Sequence, residues 1–134
     1  MSHALKALLA AAAFAAAPAL AQSGSEAPDA LQKALAGRVA GAPVDCIQLR
    51  SIRSSRIIDG RAILYEVGST LYVNTPRSGA SDLDDDSILV TDTHSSQLCS
   101  IDTVNLVDRS SQFPRGFVIL DKFVPWTKVK QAAR

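Results

Sequence analysis

Residues 52–74 read IRSSRIIDGRAILYEVGSTLYVN: three β-prone runs punctuated by Asp59-Gly60 and Gly68-Ser69. Asp-Gly between apolar runs signals a hairpin, because a two-residue turn of the favoured hand needs positive φ, which Asp and Gly tolerate. Gly-Ser supplies a second turn. The stretch predicts a three-stranded antiparallel meander from about Arg53 to Thr75. A two-residue first turn sets Ile57 opposite Ala62, Arg56 opposite Ile63 and Arg53 opposite Glu66. The second turn sets Tyr65 opposite Tyr72, a pairing that stabilises a sheet or forms a small stacking platform.

Four arginines, Arg50, Arg53, Arg56 and Arg61, crowd the entry to this meander. Three of them recur every third residue. Strand side chains alternate faces, so a spacing of three turns Arg53 away from Arg50 and Arg56. On a straight strand Arg50 and Arg56 stand about 20 Å apart, too far to clamp one phosphate. The expected role is solvated hairpin decoration, with Arg53 paired to Glu66. A bulge at Ser51 or Ser54-Ser55 would re-aim the arginines toward a site. Arg50, Arg53 and Arg56 are therefore binding candidates, together with Tyr65 and Tyr72.

Upstream, DALQKALAG (29–37) predicts a short helix with Asp29 as cap, Leu31 and Leu35 on one face and Gly37 as the stop. GAP (41–43) is a connector and CIQLRSI (46–52) the first β segment. Downstream, SILV (87–90) is a strand or one helical turn, and Asp102 to Val107 a strand. FVIL (117–120) and KFVPW (122–126) are two apolar runs. The second is expected at a sheet edge, since Pro125 has no N–H to give a ladder. The tail TKVKQAAR is basic and expected to fray. Five to seven short strands behind one helix predict a mainly β domain over 29–134, a small antiparallel barrel or sandwich.

The first 21 residues predict the compartment. Lys6 precedes the apolar run ALLAAAAFAAAPAL (7–20), and Ala19-Leu20-Ala21 is followed by polar QSGSEAP (22–28). This is the layout of a secretory signal peptide cleaved after Ala21. The run is shorter than the roughly twenty residues of a bilayer span, and Pro18 interrupts it. A flexible tether over 22–28 follows. The mature chain then has 134 − 21 = 113 residues. Without Lys6 it carries 14 − 1 = 13 bases against 13 acids. A neutral exported protein lacks the basic footprint of a nucleic-acid binder. The expected destination is the periplasm or the exterior, with no membrane span in the mature form.

Cys46 and Cys99 are the two cysteines. An even count in an exported chain reads first as a disulfide, here closing a long loop worth roughly 4 kcal/mol in the chain-entropy model. The alternatives are unpaired, reactive thiols, or a zinc site with His94, against which one histidine and two cysteines outside any C-x-x-C pair fall short of a four-ligand set.

Three constellations bear on chemistry. Asp82, Asp84 and Asp86 match positions 1, 3 and 5 of a calcium loop, but Ser87 replaces its glycine and Thr93 its final glutamate. His94 is the one mature histidine and hence the ready general base, with Asp92, Ser95, Ser96 and Cys99 near it in sequence. Glu66, Asp59 and Asp102 are available carboxylates, and no spacing singles out a catalytic pair. No motif for a cofactor is present in the sequence.

Four blocks in order, AGRVAGAPVDCI, IRSSRIIDGRAILYEVGSTLYVN, SQLCSIDTV and GFVILDKFVP, resemble a family of small exported bacterial proteins classed as a domain of unknown function. The resemblance covers about Leu35 to Pro125. Many relatives carry two further cysteines, near the positions of Gly79 and Val118 here. The lack of both implies the loss of one complete disulfide and leaves Cys46–Cys99 as the survivor. The resemblance implies export and a compact β-rich domain, and no activity. The expectation is a non-enzymatic, disulfide-stapled binding or structural module whose partner is a component of the cell envelope. The alternatives are a small periplasmic hydrolase using His94, or a divalent-metal binder through Asp82–Asp86.

Overall fold

The computed structural model describes residues 29–130; the leader and tether expectations lie outside the described residues. The chain enters through helix α1 (Ala30–Leu35), whose Asp29 cap accepts from the Gln32 amide at 2.8 Å. Gly37, at φ +73°, ends the turn as the sequence implies. So short a helix persists only by packing. Leu31, Ala34 and Leu35 lie on Ile58, Ala62, Leu64 and Val73.

The meander forms as β3 (Ile52–Ile58), β4 (Ala62–Val67) and β5 (Thr70–Asn74). The second turn is the expected two-residue one, with Gly68 at φ +59° and Tyr65 opposite Tyr72. The first turn differs from expectation. It holds three residues, Asp59 to Arg61, because Ile58 pairs with Ala62. Only Gly60 takes positive φ, at +64°, so the two-residue mirror-image turn does not form. Tertiary partners hold the longer turn. The Gly60 amide donates to the Leu83 carbonyl at 2.9 Å, and Arg61 pairs with Asp29 at 2.7 Å. Ser54, not Arg53, therefore faces Glu66, and its hydroxyl donates to the Glu66 carboxylate at 3.0 Å. Arg53 is left as the extra residue of a bulge between Ile52 and Ser54.

The remaining strands are β1 (Arg38–Ala40), β2 (Cys46–Gln48), β6 (Ser87–Thr91), β7 (Gln97–Cys99), β8 (Thr103–Asp108), β9 (Pro114–Ile119) and β10 (Phe123–Lys128). Strands hold 51% of the described residues, which settles the class as mainly β. There are ten strands rather than five to seven among the described residues. β1, β2 and β7 have three residues each, too few to display an alternation. They form three antiparallel sheets, ordered β1-β10-β5-β4-β3, β2-β7 and β6-β8-β9.

β10 is not an edge. It lies between β1 and β5. The Pro125 carbonyl accepts from the Gly41 amide at 2.7 Å, on the β1 side. In an antiparallel ladder the N and O of one residue point the same way. The missing N–H thus faces the connector beyond Ala40, and no bond to β5 is lost. The start of the basic tail is held rather than frayed, since β10 runs to Lys128 and the Val129 amide donates to Gly37 at 3.0 Å; residues 131–134 lie outside the described residues.

The five-stranded sheet separates two apolar clusters. Its α1 face carries the smaller one. Its other face meets the two smaller sheets over Ile57, Ile63, Tyr65, Leu98, Leu106, Leu120 and Phe123. Asn74, fully buried, donates to the Asp121 carbonyl at 2.6 Å and accepts from its amide at 3.1 Å, standing in for a strand neighbour.

Tyr65 lies 5.8 Å from the Phe123 ring, edge to face, with its hydroxyl buried and without a partner. Burial raises the phenol well above its ordinary pKa. An unsatisfied buried hydroxyl costs about 1–3 kcal/mol. Tyr65→Phe is therefore expected to leave stability unchanged or raise it by about 1 kcal/mol in urea unfolding. A loss above that size would reveal a partner for the hydroxyl.

Candidate functional site

Among the described residues each sheet leaves two strands with an unpaired side: β1 and β3, β2 and β7, β6 and β9. β3 ends the five-stranded sheet and β6 ends the three-stranded sheet. They flank one groove. Residues 55–57 of β3 and 87–89 of β6 line a hollow of about 330 Å³, together with Asp85 and Arg109. Two further hollows, of about 370 and 360 Å³, continue it toward α1 and share Ile57 and Asp85 with it. Together they make a trough along the free side of β3. Alternate backbone N–H and C=O groups of an edge strand point away from its sheet, so both walls of the hollow beside β6 offer hydrogen-bonding groups.

The trough has an apolar floor, a basic rim beside β6 and acidic groups where its hollows join, at Asp85, and toward α1, at Asp59 and Asp29. Ile57 is buried in its floor, and Ile88 and Leu89 are half-buried. Arg56 and Arg109 are both exposed beside it, and Arg53 and Arg50 continue the basic line along the strand and its preceding turn. Among the described residues none of these four guanidinium groups has an ion-pair partner; the paired cations are Arg61, Arg115 and Lys122. Arg50 sits in a 3-10 turn (Leu49–Ser51) rather than on a straight strand, and Arg53 in the bulge, so the period-three reading of the sequence breaks down. Arg109, contributed by the turn after β8, has no sequence signal linking it to the others. Ser87, 3% exposed, keeps its hydroxyl buried and unpartnered at the same wall.

Where the hollows join, the acidic run folds differently from a calcium loop. Asp82 closes a 3-10 turn (Ala80–Asp82), while Asp84 accepts from the Asp86 amide at 2.9 Å. The carboxylates brought together are Asp59, Asp84 and Asp85, with one oxygen from each within 4.8 Å of the others. Asp59 accepts from the Asp85 amide at 2.7 Å, and Arg115 stands 3.4 Å from Asp84. The Asp59 charge, with those of Asp86 and Asp84, raises the Asp85 pKa above the usual carboxylate value. A raised folded value means that ionised Asp85 opposes folding at neutral pH, and the penalty fades as pH falls through that value. Asp85→Asn is expected to raise the melting temperature at pH 7 and to leave it unchanged at pH 3. Equal shifts at both pH values would contradict this repulsion.

The other sequence candidates lie apart from the trough. Cys46 and Cys99 face each other on β2 and β7 and form the disulfide, with a Cα–Cα distance of 4.0 Å. Tyr65 is in the core, where it offers no face to solvent, and Tyr72 is half-buried beside it. His94 is exposed in the loop before β7. Ser95 beside it bonds to both the amide and the carbonyl of Gln97, and Cys99 is closed into the disulfide. Among the described residues no helix is long and apolar enough to cross a membrane. Compared with protein-family models, curated proteins and solved structures, the chain matches none.

Proposed function

We propose that the mature chain is an exported, non-enzymatic binding module of the cell envelope, stapled by Cys46–Cys99, and that it binds through the β3–β6 trough. The observation that carries this reading is the trough itself: two unpaired strand edges enclose an apolar floor, and among the described residues Arg56 and Arg109 on its rim form no ion pair. A folded protein ordinarily blunts or covers such edges. The disulfide supports an oxidising compartment, in keeping with the leader in the sequence.

Assaying purified mature protein against envelope substrates tests the non-enzymatic part. No turnover is expected; turnover abolished by His94→Ala would replace this reading with the hydrolase one.

A further inference from the structure

We infer that the trough receives an extended, acidic peptide segment of a partner protein, which adds to the free edge of β3 as a further strand. The inference rests on the binding-module reading and adds the class of ligand. Three features of the site point to it. The cavity is long and open rather than a closed pocket, since its three hollows run on from one another through Ile57 and Asp85. β3 is seven residues long, about 23 Å of strand at about 3.3 Å per residue. In the hollow beside β6 both walls are strand edges, so a main chain laid there meets hydrogen-bonding groups on either side, the mode by which sheets recruit peptides; α1 walls the other two hollows.

The charge pattern selects among peptides. Arg56 and Arg109 rim the hollow beside β6, where Asp85 is the one acid among the lining residues, so two positive charges face one negative. Their partners on an incoming strand are carboxylates. Ile57, Ile88 and Leu89 below them call for small or apolar side chains between the acids, which is the alternation a strand supplies. Edge-to-edge pairing of β3 with β3 of a second copy would set arginine against arginine, which disfavours that occupant.

The test uses oxidised, ¹⁵N-labelled mature protein and an acetylated, amidated nonapeptide of sequence Ser-Glu-Val-Glu-Thr-Glu-Val-Glu-Ser. Saturable amide shifts are expected at 53–57 and 87–90. Arg56→Glu with Arg109→Glu, both exposed positions, is expected to weaken binding at least tenfold while leaving the rest of the spectrum in place. Methylating alternate peptide amides is expected to weaken it by a similar factor, because strand addition needs those N–H groups. A lysine-for-glutamate peptide is expected not to bind. Unmoved β3 resonances overturn the proposal, and so does equal binding of the N-methylated peptide, which reports charge attraction without strand addition. A dimer in light scattering would assign the trough to a second copy and overturn it as well. The binding-module reading fails separately, on a retained leader, free thiols or His94-dependent turnover.

Discussion

Phe123→Ala is expected to destabilise the domain by about 3–5 kcal/mol, the largest loss anticipated for any single substitution here. Phe123 is fully buried at the junction of the sheets. Its ring stands edge to face with Tyr65. Its backbone pairs with Val44 in both directions, at 2.8 and 2.9 Å, and through β10 it faces Asn74. Truncation leaves a cavity that a local shift cannot close, because the backbone at Phe123 is fixed by its bonds to Val44 and its pairing with β5. Phe123→Leu keeps most of the volume and is expected to cost clearly less. Guanidinium unfolding at pH 7 measures both. A loss under 1 kcal/mol for the alanine variant would mean that Phe123 does not join the sheets as described.

Removing the disulfide, by Cys46→Ala with Cys99→Ala, is expected to cost about 4 kcal/mol through the freed loop entropy of the unfolded chain. The cysteines stand 53 residues apart in sequence. A domain of this size has about 5–15 kcal/mol in all, so the staple is a large share. Its location sharpens the expectation. β2 and β7 pair only with each other, over three residues, and an isolated two-stranded pair is marginal in water. Hydrogen exchange in the variant should therefore rise first at 46–48 and 97–99, with the meander holding longer. Unchanged protection there, or a loss below 1 kcal/mol, would show that the strands hold without the bond.

Some of this structure is legible in the sequence because local chemistry decides it. The α1 helix is written in a capping aspartate, two leucines four apart and a stopping glycine. The meander is written in two turns between β-prone runs. The disulfide follows from an even cysteine count behind a stretch that reads as a leader. What is not legible depends on distant partners. The register of the first hairpin shifts by one residue because Leu83 and Asp29 grip its turn. Pro125 escapes the edge because its nitrogen faces a connector. The trough has no local signature at all: β3 and β6 become edges only through the order of strands, and Arg109 meets Arg56 only through the fold. The bulge that re-aims the arginines is anticipated in kind, but it falls on Arg53 itself.

The central claim is an exported, stapled module, and an intact-mass spectrum tests it most directly. The protein is recovered from the periplasm without reductant and in the presence of a thiol-alkylating reagent. The account predicts the mass of residues 22–134 less two hydrogens, with no alkyl group attached. A retained leader, or one or two alkylated cysteines, would contradict it.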